Sequence, residues 1–203
     1  MRSLSLILTF LVSSSAVVLS QSIPQFHDVT KVAADDRLNV RAAPSSQAER
    51  IGALGPDARG IEVVAIDETG RWGKINLDET SGWVNLRYLA PRGVHIDNYN
   101  IPVGLSCYGT EPFWSLTYSN GTFDMDLLGD APQRLTIEIA QDSGIDGDLR
   151  RMIHLNAHDV PATAFMYPAI CNDGMSDRSF GLAISVMVSL SGPLLSGCCS
   201  LGH

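Results

Sequence analysis

The run Phe113-Trp-Ser-Leu-Thr-Tyr118, Ser119-Asn120-Gly121, Thr122-Phe-Asp-Met-Asp-Leu127 holds two alternating segments around Asn-Gly. Asn-Gly tolerates the two consecutive positive φ angles of a type I′ turn, so this spacing predicts a tight β-hairpin. Period-2 alternation sends Trp114, Leu116 and Tyr118 to one face on the way in. Phe123, Met125 and Leu127 face the same side on the way out, and Asp124 and Asp126 face the opposite side. Asn120-Gly-Thr122 also fits a glycosylation sequon, but the hairpin explains it without that.

Working outward, Arg134 to Ala140, Met152 to Leu155 and Leu182 to Leu190 read as further strands. Asp142-Ser-Gly-Ile-Asp146-Gly-Asp148 reads as a solvated acidic turn, because its spacing does not match an EF-hand loop. Cys107, Cys171, Cys198 and Cys199 are the chain's only cysteines. Neighbouring cysteines bridge only with strain, so Cys107 and Cys171 are expected to pair with the Cys198-Cys199 doublet, in either order. No C-x-x-C spacing points to zinc or redox chemistry. His154 and His158 have metal spacing only on a helix, and Pro161 nearby favours a loop. No metal or cofactor is expected. Residues 105–203 are therefore read as a disulfide-closed antiparallel β domain.

The earlier part of the chain carries shorter strands, including Leu38 to Val40, Ile51 to Leu54, Ile61 to Ile66, Trp72 to Ile75 and Gly82 to Val84, separated by turns. Such spacing indicates a small barrel or sandwich, with Leu38, Val40, Trp83 and Val84 in its core. Leu38-Asn-Val-Arg41-Ala-Ala-Pro44 resembles the LNVRSGP signature of bacterial SH3 (SH3b) domains. Ala42-Ala43 stand where Ser-Gly is usual. Gly52 with Leu54, Gly70-Arg-Trp72-Gly-Lys-Ile75, Gly82-Trp-Val84 and Tyr88-Leu89 follow in the family's order. The resemblance implies an SH3-like β-barrel over residues 27–91. It also implies an exported protein that meets cell-wall peptides or protein ligands. Arg41 and Trp72 are the ligand-binding candidates here. The turn-rich stretch 92–104 is read as a linker, giving an all-β chain of two domains.

Three patches of the second half, Cys107-Tyr-Gly109-Thr-Glu111-Pro-Phe-Trp114, Cys171-Asn-Asp-Gly-Met-Ser-Asp177-Arg178 and Gly197-Cys198-Cys199, together resemble an uncharacterised family of bacterial secreted proteins and lipoproteins. Asn172 departs from that family's usual Ser, and Ser179-Phe-Gly181 from its usual Tyr-Pro. The resemblance supplies no mechanism. Glu111 beside Phe113 and Trp114, with Asp173 or Asp177 as a second carboxylate, is the pairing that a glycoside hydrolase chemistry would use. Glu111 is more simply read as buried against Arg178 or a backbone N–H. Trp114, Glu111 and Asp177 are also the ligand-binding candidates of this half.

Residues 1–20, MRSLSLILTFLVSSSAVVLS, read as a signal peptide cleaved before Gln21, since the apolar run is too short to span a bilayer. A periplasmic or secreted protein without stable membrane insertion is expected. The chain has a net charge of −8 and no clustered Lys/Arg, so nucleic acid is excluded as a partner. Residues 92–203 carry 5 Lys+Arg against 12 Asp+Glu. The sequence therefore points to a non-catalytic envelope-binding protein, with peptidoglycan or an envelope protein as partner. The alternatives are a wall-active hydrolase using Glu111 and Asp177, or a secreted inhibitor of lysozyme-like enzymes. The sequence does not fix the oligomeric state.

Overall fold

The computed structural model describes residues 23–189 and 192–202. The expected signal peptide lies outside them. Nearly all the regular structure among the described residues is strand. In the first half these are β1 (Gln25–Val29), β2 (Leu38–Arg41), β3 (Arg50–Leu54), β4 (Ile61–Val63), β5 (Ala65–Ile66), β6 (Trp72–Leu77), β7 (Thr80–Asn85) and β8 (Leu89–Arg92). A short 3-10 turn at Leu86–Tyr88 is started by the Asn85 side chain, which accepts the Arg87 N–H. Two sheets form, β4-β1-β8 and β3-β2-β7-β6-β5. Between them lies a core of Val29, Leu38, Val40, Val63, Ile75, Val84 and Leu89.

Two expectations change here. The run Ile61 to Ile66 is not one strand. It breaks at Val64, so that β4 pairs with β1 while β5 pairs with β6. A chain that bends between sheets serves both with one apolar run. Trp83 is half-buried rather than core: Gly82 and Val84 take the inward positions of β7, and Trp83 faces out opposite Arg41 and Lys74.

The second half is a closed barrel of eight strands: β9 (Ser106–Thr110), β10 (Phe113–Ser119), β11 (Thr122–Leu127), β12 (Gln133–Asp142), β13 (Arg151–Ala157), β14 (Val160–Cys171), β15 (Phe180–Met187) and β16 (Leu194–Ser200). Each strand pairs antiparallel with its sequence neighbours, and β16 closes on β9. The Asn-Gly hairpin joins β10 to β11 with φ of 47° at Asn120 and 83° at Gly121. Eight strands enclose a space that side chains fill. Leu116, Tyr118, Phe123, Leu135, Ile153, Leu155, Leu182 and Ile184 fill it, all almost inaccessible. Asp124, Asp126, Arg134 and Glu138 face outward. Apolar inside and polar outside is the reverse of a membrane-spanning barrel. No helix of the described residues is long and apolar enough to cross a membrane.

Both disulfides form as Cys107–Cys199 and Cys171–Cys198. Successive strand residues point to opposite faces, which explains how adjacent cysteines serve two bridges. Cys199 lies directly opposite Cys107 across the closing pair, with Cα atoms 4.0 Å apart, and joins the interior core. Cys198 points outward and ties the end of β14 to β16.

Residues 92–104 connect the halves and also pack. Ile101 and Leu105 are fully buried in the barrel core, and Val94 and Phe26 pack against it. The Asp97 carboxylate accepts the N–H groups of Tyr99 and Ile101 and the buried Tyr118 hydroxyl, so the segment plugs one barrel end.

Candidate functional site

The turn before β6 is organised by one carboxylate. Asp67 accepts from the backbone N–H of Arg71 and Trp72 through one oxygen, at 2.9 and 2.7 Å. Its other oxygen accepts the Thr69 hydroxyl at 2.6 Å. Desolvation opposes ionisation, but the Thr69 hydroxyl and these N–H groups outweigh it and hold the carboxyl below its ordinary range. The turn thereby delivers Trp72, half-buried, to the start of β6.

Arg41 ends β2 on the same side. Its Nη1 donates to the Ala48 carbonyl at 2.8 Å, which fixes the guanidinium over the β2–β3 turn. Trp72 and Arg41 together line a groove of about 490 Å³ that Lys31, Arg37, Arg87 and Tyr88 complete. The Arg87 guanidinium lies 4.5 Å from the centre of the Tyr88 ring, a cation–π geometry. Asp36 is the groove's one carboxylate. Among the described residues, none of the four cations is in an ion pair. Cationic forks beside an indole and a phenol suit a carboxylate-bearing ligand with an apolar or planar portion.

Arg41 and Trp72, named from the sequence, are thus brought to one groove. Lys31, Arg37 and Arg87 were not foreseen. Arg87 adjoins the Tyr88-Leu89 motif and was within reach of a sequence reading. Lys31 and Arg37 precede the motifs and carry no local signal.

The candidates of the second half are dispersed. Trp114 is 4% exposed, and its indole lies inside the barrel against the backbone of Gly109 and Gly197. Its Nε1 has no hydrogen-bond partner. Glu111 is exposed in the turn after β9 rather than buried, with no partner among the described residues. The expected Glu111–Arg178 pairing does not form. Arg178 instead lies over the Phe180 ring and near Glu62 of β4. Asp177 has an exposed side chain, and its backbone joins the halves: its N–H donates to the Glu79 carbonyl at 3.0 Å and its carbonyl accepts the Ser81 hydroxyl at 3.1 Å. Beside it, Asn76 and Ser179 exchange two hydrogen bonds, at 2.9 and 3.0 Å. The loop Asn172–Arg178 is held by its own side chains, Asn172 and Asp173 capping backbone N–H groups. His154 sits on β13 and His158 in the following turn, not on a helix.

Comparison with known proteins accounts for the first half only. No curated protein matches the chain. Residues 36–90, from just before β2 to the start of β8 and including Arg41, Trp72 and Arg87, match the family model of the bacterial SH3 domain.

Proposed function

We propose that the protein is an exported, non-catalytic binding protein of the bacterial cell envelope, whose SH3-like half recognises a carboxylate-bearing wall peptide. The observation that carries this is the convergence of Arg41 and Trp72 with three further unpaired cations in one groove of the matched module. The whole chain is acidic, so a local cationic groove marks where an anionic ligand is drawn in. Two disulfides fit an oxidising compartment, and the signal-like residues 1–20 fit export to it.

The test is co-sedimentation with purified peptidoglycan, with a parallel lysozyme turbidity assay. Wild type is expected to pellet in a salt-sensitive way. Arg41→Ala should weaken retention by roughly tenfold or more, the scale of a lost charge-assisted hydrogen bond of about 1.5–3 kcal/mol. Trp72→Ala should do at least as much. Neither variant should shift the melting temperature of the barrel. Clearing of the wall suspension by the protein alone would support the hydrolase reading, and slowed clearing by lysozyme the inhibitor reading. Either would overturn this one.

A further inference from the structure

The outer face of the barrel carries a second concavity, across β9, β16, β15 and β14. In register, Tyr108, Cys198, Ala183 and Tyr167 form one row across the four strands, and Ser196, Ser185 and Phe165 stand in the next. In these two rows the middle strands thus offer only small side chains outward, while large rings stand at both sides. Tyr108 is one rim. Phe165 and Tyr167, stacked at 5.3 Å, are the other. Three interstrand spacings, about 14 Å along the sheet, separate the rims. The result is a trough of about 370 Å³. The Cys171–Cys198 bridge and the loop after it close one end.

The chemistry of this trough is mainly hydroxylic, with a single carboxylate, Asp173, at its closed end. Among the described residues, the hydroxyls of Tyr108, Thr110, Tyr167, Ser185 and Ser196 have no hydrogen-bond partner, although Thr110, Ser185, Ser196 and both tyrosines line or border the trough. The amide and carboxylate that line it, Asn172 and Asp173, are already engaged with their own loop. No cation lines it. An extended peptide would bind a sheet through unpaired edge groups, and a closed barrel offers none. A lipid chain would leave the floor hydroxyls unanswered. Flat rims that are apolar on their faces, with hydroxyl donors and acceptors between them, match a ring whose faces are apolar and whose edge carries hydroxyls.

We infer that this trough is a glycan-binding site, holding a neutral pyranose ring between Tyr108 and Tyr167 with Ser185 and Ser196 hydrogen-bonded to its hydroxyls. It is separate from the Arg41–Trp72 groove and does not depend on that groove's role. Calorimetric titration of the full mature chain with three soluble tetrasaccharides tests it: β-1,4-linked N-acetylglucosamine, β-1,4-linked glucose and α-1,4-linked glucose. At least one is expected to bind saturably. Tyr108→Ala and Tyr167→Ala should each weaken it by about tenfold, the equivalent of about 1.4 kcal/mol. Ala183→Leu, which fills the floor while leaving both rims in place, should do the same, whereas Trp72→Ala should leave it unchanged. Matching melting curves exclude misfolding, and Ser185→Ala, a milder change, should still lower affinity severalfold. The inference is overturned if none of the three sugars binds. It is equally overturned if binding survives all the trough variants, or if the trough variants instead abolish a concentration-dependent dimer, which would make this face an interface between copies.

Discussion

Gly109 and Gly197 flank the Trp114 indole on neighbouring strands, and a methyl group at either would strike both the ring and backbone carbonyl oxygens. Gly109→Ala and Gly197→Ala should therefore each destabilise the barrel by about 1–3 kcal/mol, measured by urea unfolding, through overpacking that a strand cannot relieve. The residues around the cysteines thus have a packing role that their spacing did not reveal. Trp114 looked like an exposed anchor because sequence shows alternation but not which face a closed sheet turns inward. Glu62 of β4 is largely withdrawn from solvent. Burial raises its carboxyl pKa to about 7, against the opposing effects of the Leu201 N–H it accepts and of nearby Arg178. The folded state thus holds the proton more tightly than the unfolded chain, whose value is near 4.5. The stabilisation from the protonated form is complete below pH ~4.5 and is lost as pH rises through about 7. Glu62→Gln should remove a loss of about 2–3 kcal/mol between pH 5 and 8, seen as a flatter stability profile than wild type in denaturant titrations. Parallel profiles for the two proteins would contradict it.

At the scale of elements, the hairpin β10–β11 was legible because Asn-Gly and strict alternation act locally. The strands that escaped notice were β1, β8, β9, β14 and β16. β14 is the longest strand, yet Pro161 and Pro168 and three scattered alanines hide it. Pro161 lies near its start and Pro168 at a register shift, where a missing N–H costs little. β9 and β16 are rich in Gly, Ser and Cys, and their pairing is non-local. The cysteine doublet announced two bridges from the second half of the chain. Its order follows only from the register, which places Cys199 inside opposite Cys107 and Cys198 outside. The bridges close 92 and 27 residues. In the chain-entropy model they contribute roughly 4.5 and 3.5 kcal/mol. Reductant should accordingly lower the barrel's melting temperature by more than about 10 °C in calorimetry. An unchanged transition after full reduction would show that the strand ladder alone holds the barrel.

Over the whole molecule, two apolar cores stand under separate sheets, joined by the plug at Ile101 and by the Asn76–Ser179 and Asp177–Glu79 contacts. We propose that the first half folds alone around its own core. Residues 23–91 expressed by themselves should melt cooperatively and ignore reductant, because all four cysteines lie elsewhere. A fragment that stays unfolded by circular dichroism would show that the contacts of Phe26 and the β6–β7 hairpin with the barrel are required. The SH3-like half was readable because its motifs occur in order within a short span. The groove was half-readable: Arg41 and Trp72 sit in motifs, while Lys31 and Arg37 reach it only through folding. In the proposed reading, this groove binds a carboxylate-bearing wall peptide. That binding is tested most directly by the affinity of the full mature chain for intact sacculi and for sacculi from which the peptides have been removed enzymatically. The Trp72- and Arg41-dependent part of binding should disappear with the peptides. Equal dependence on Trp72 and Arg41 for both materials would contradict it.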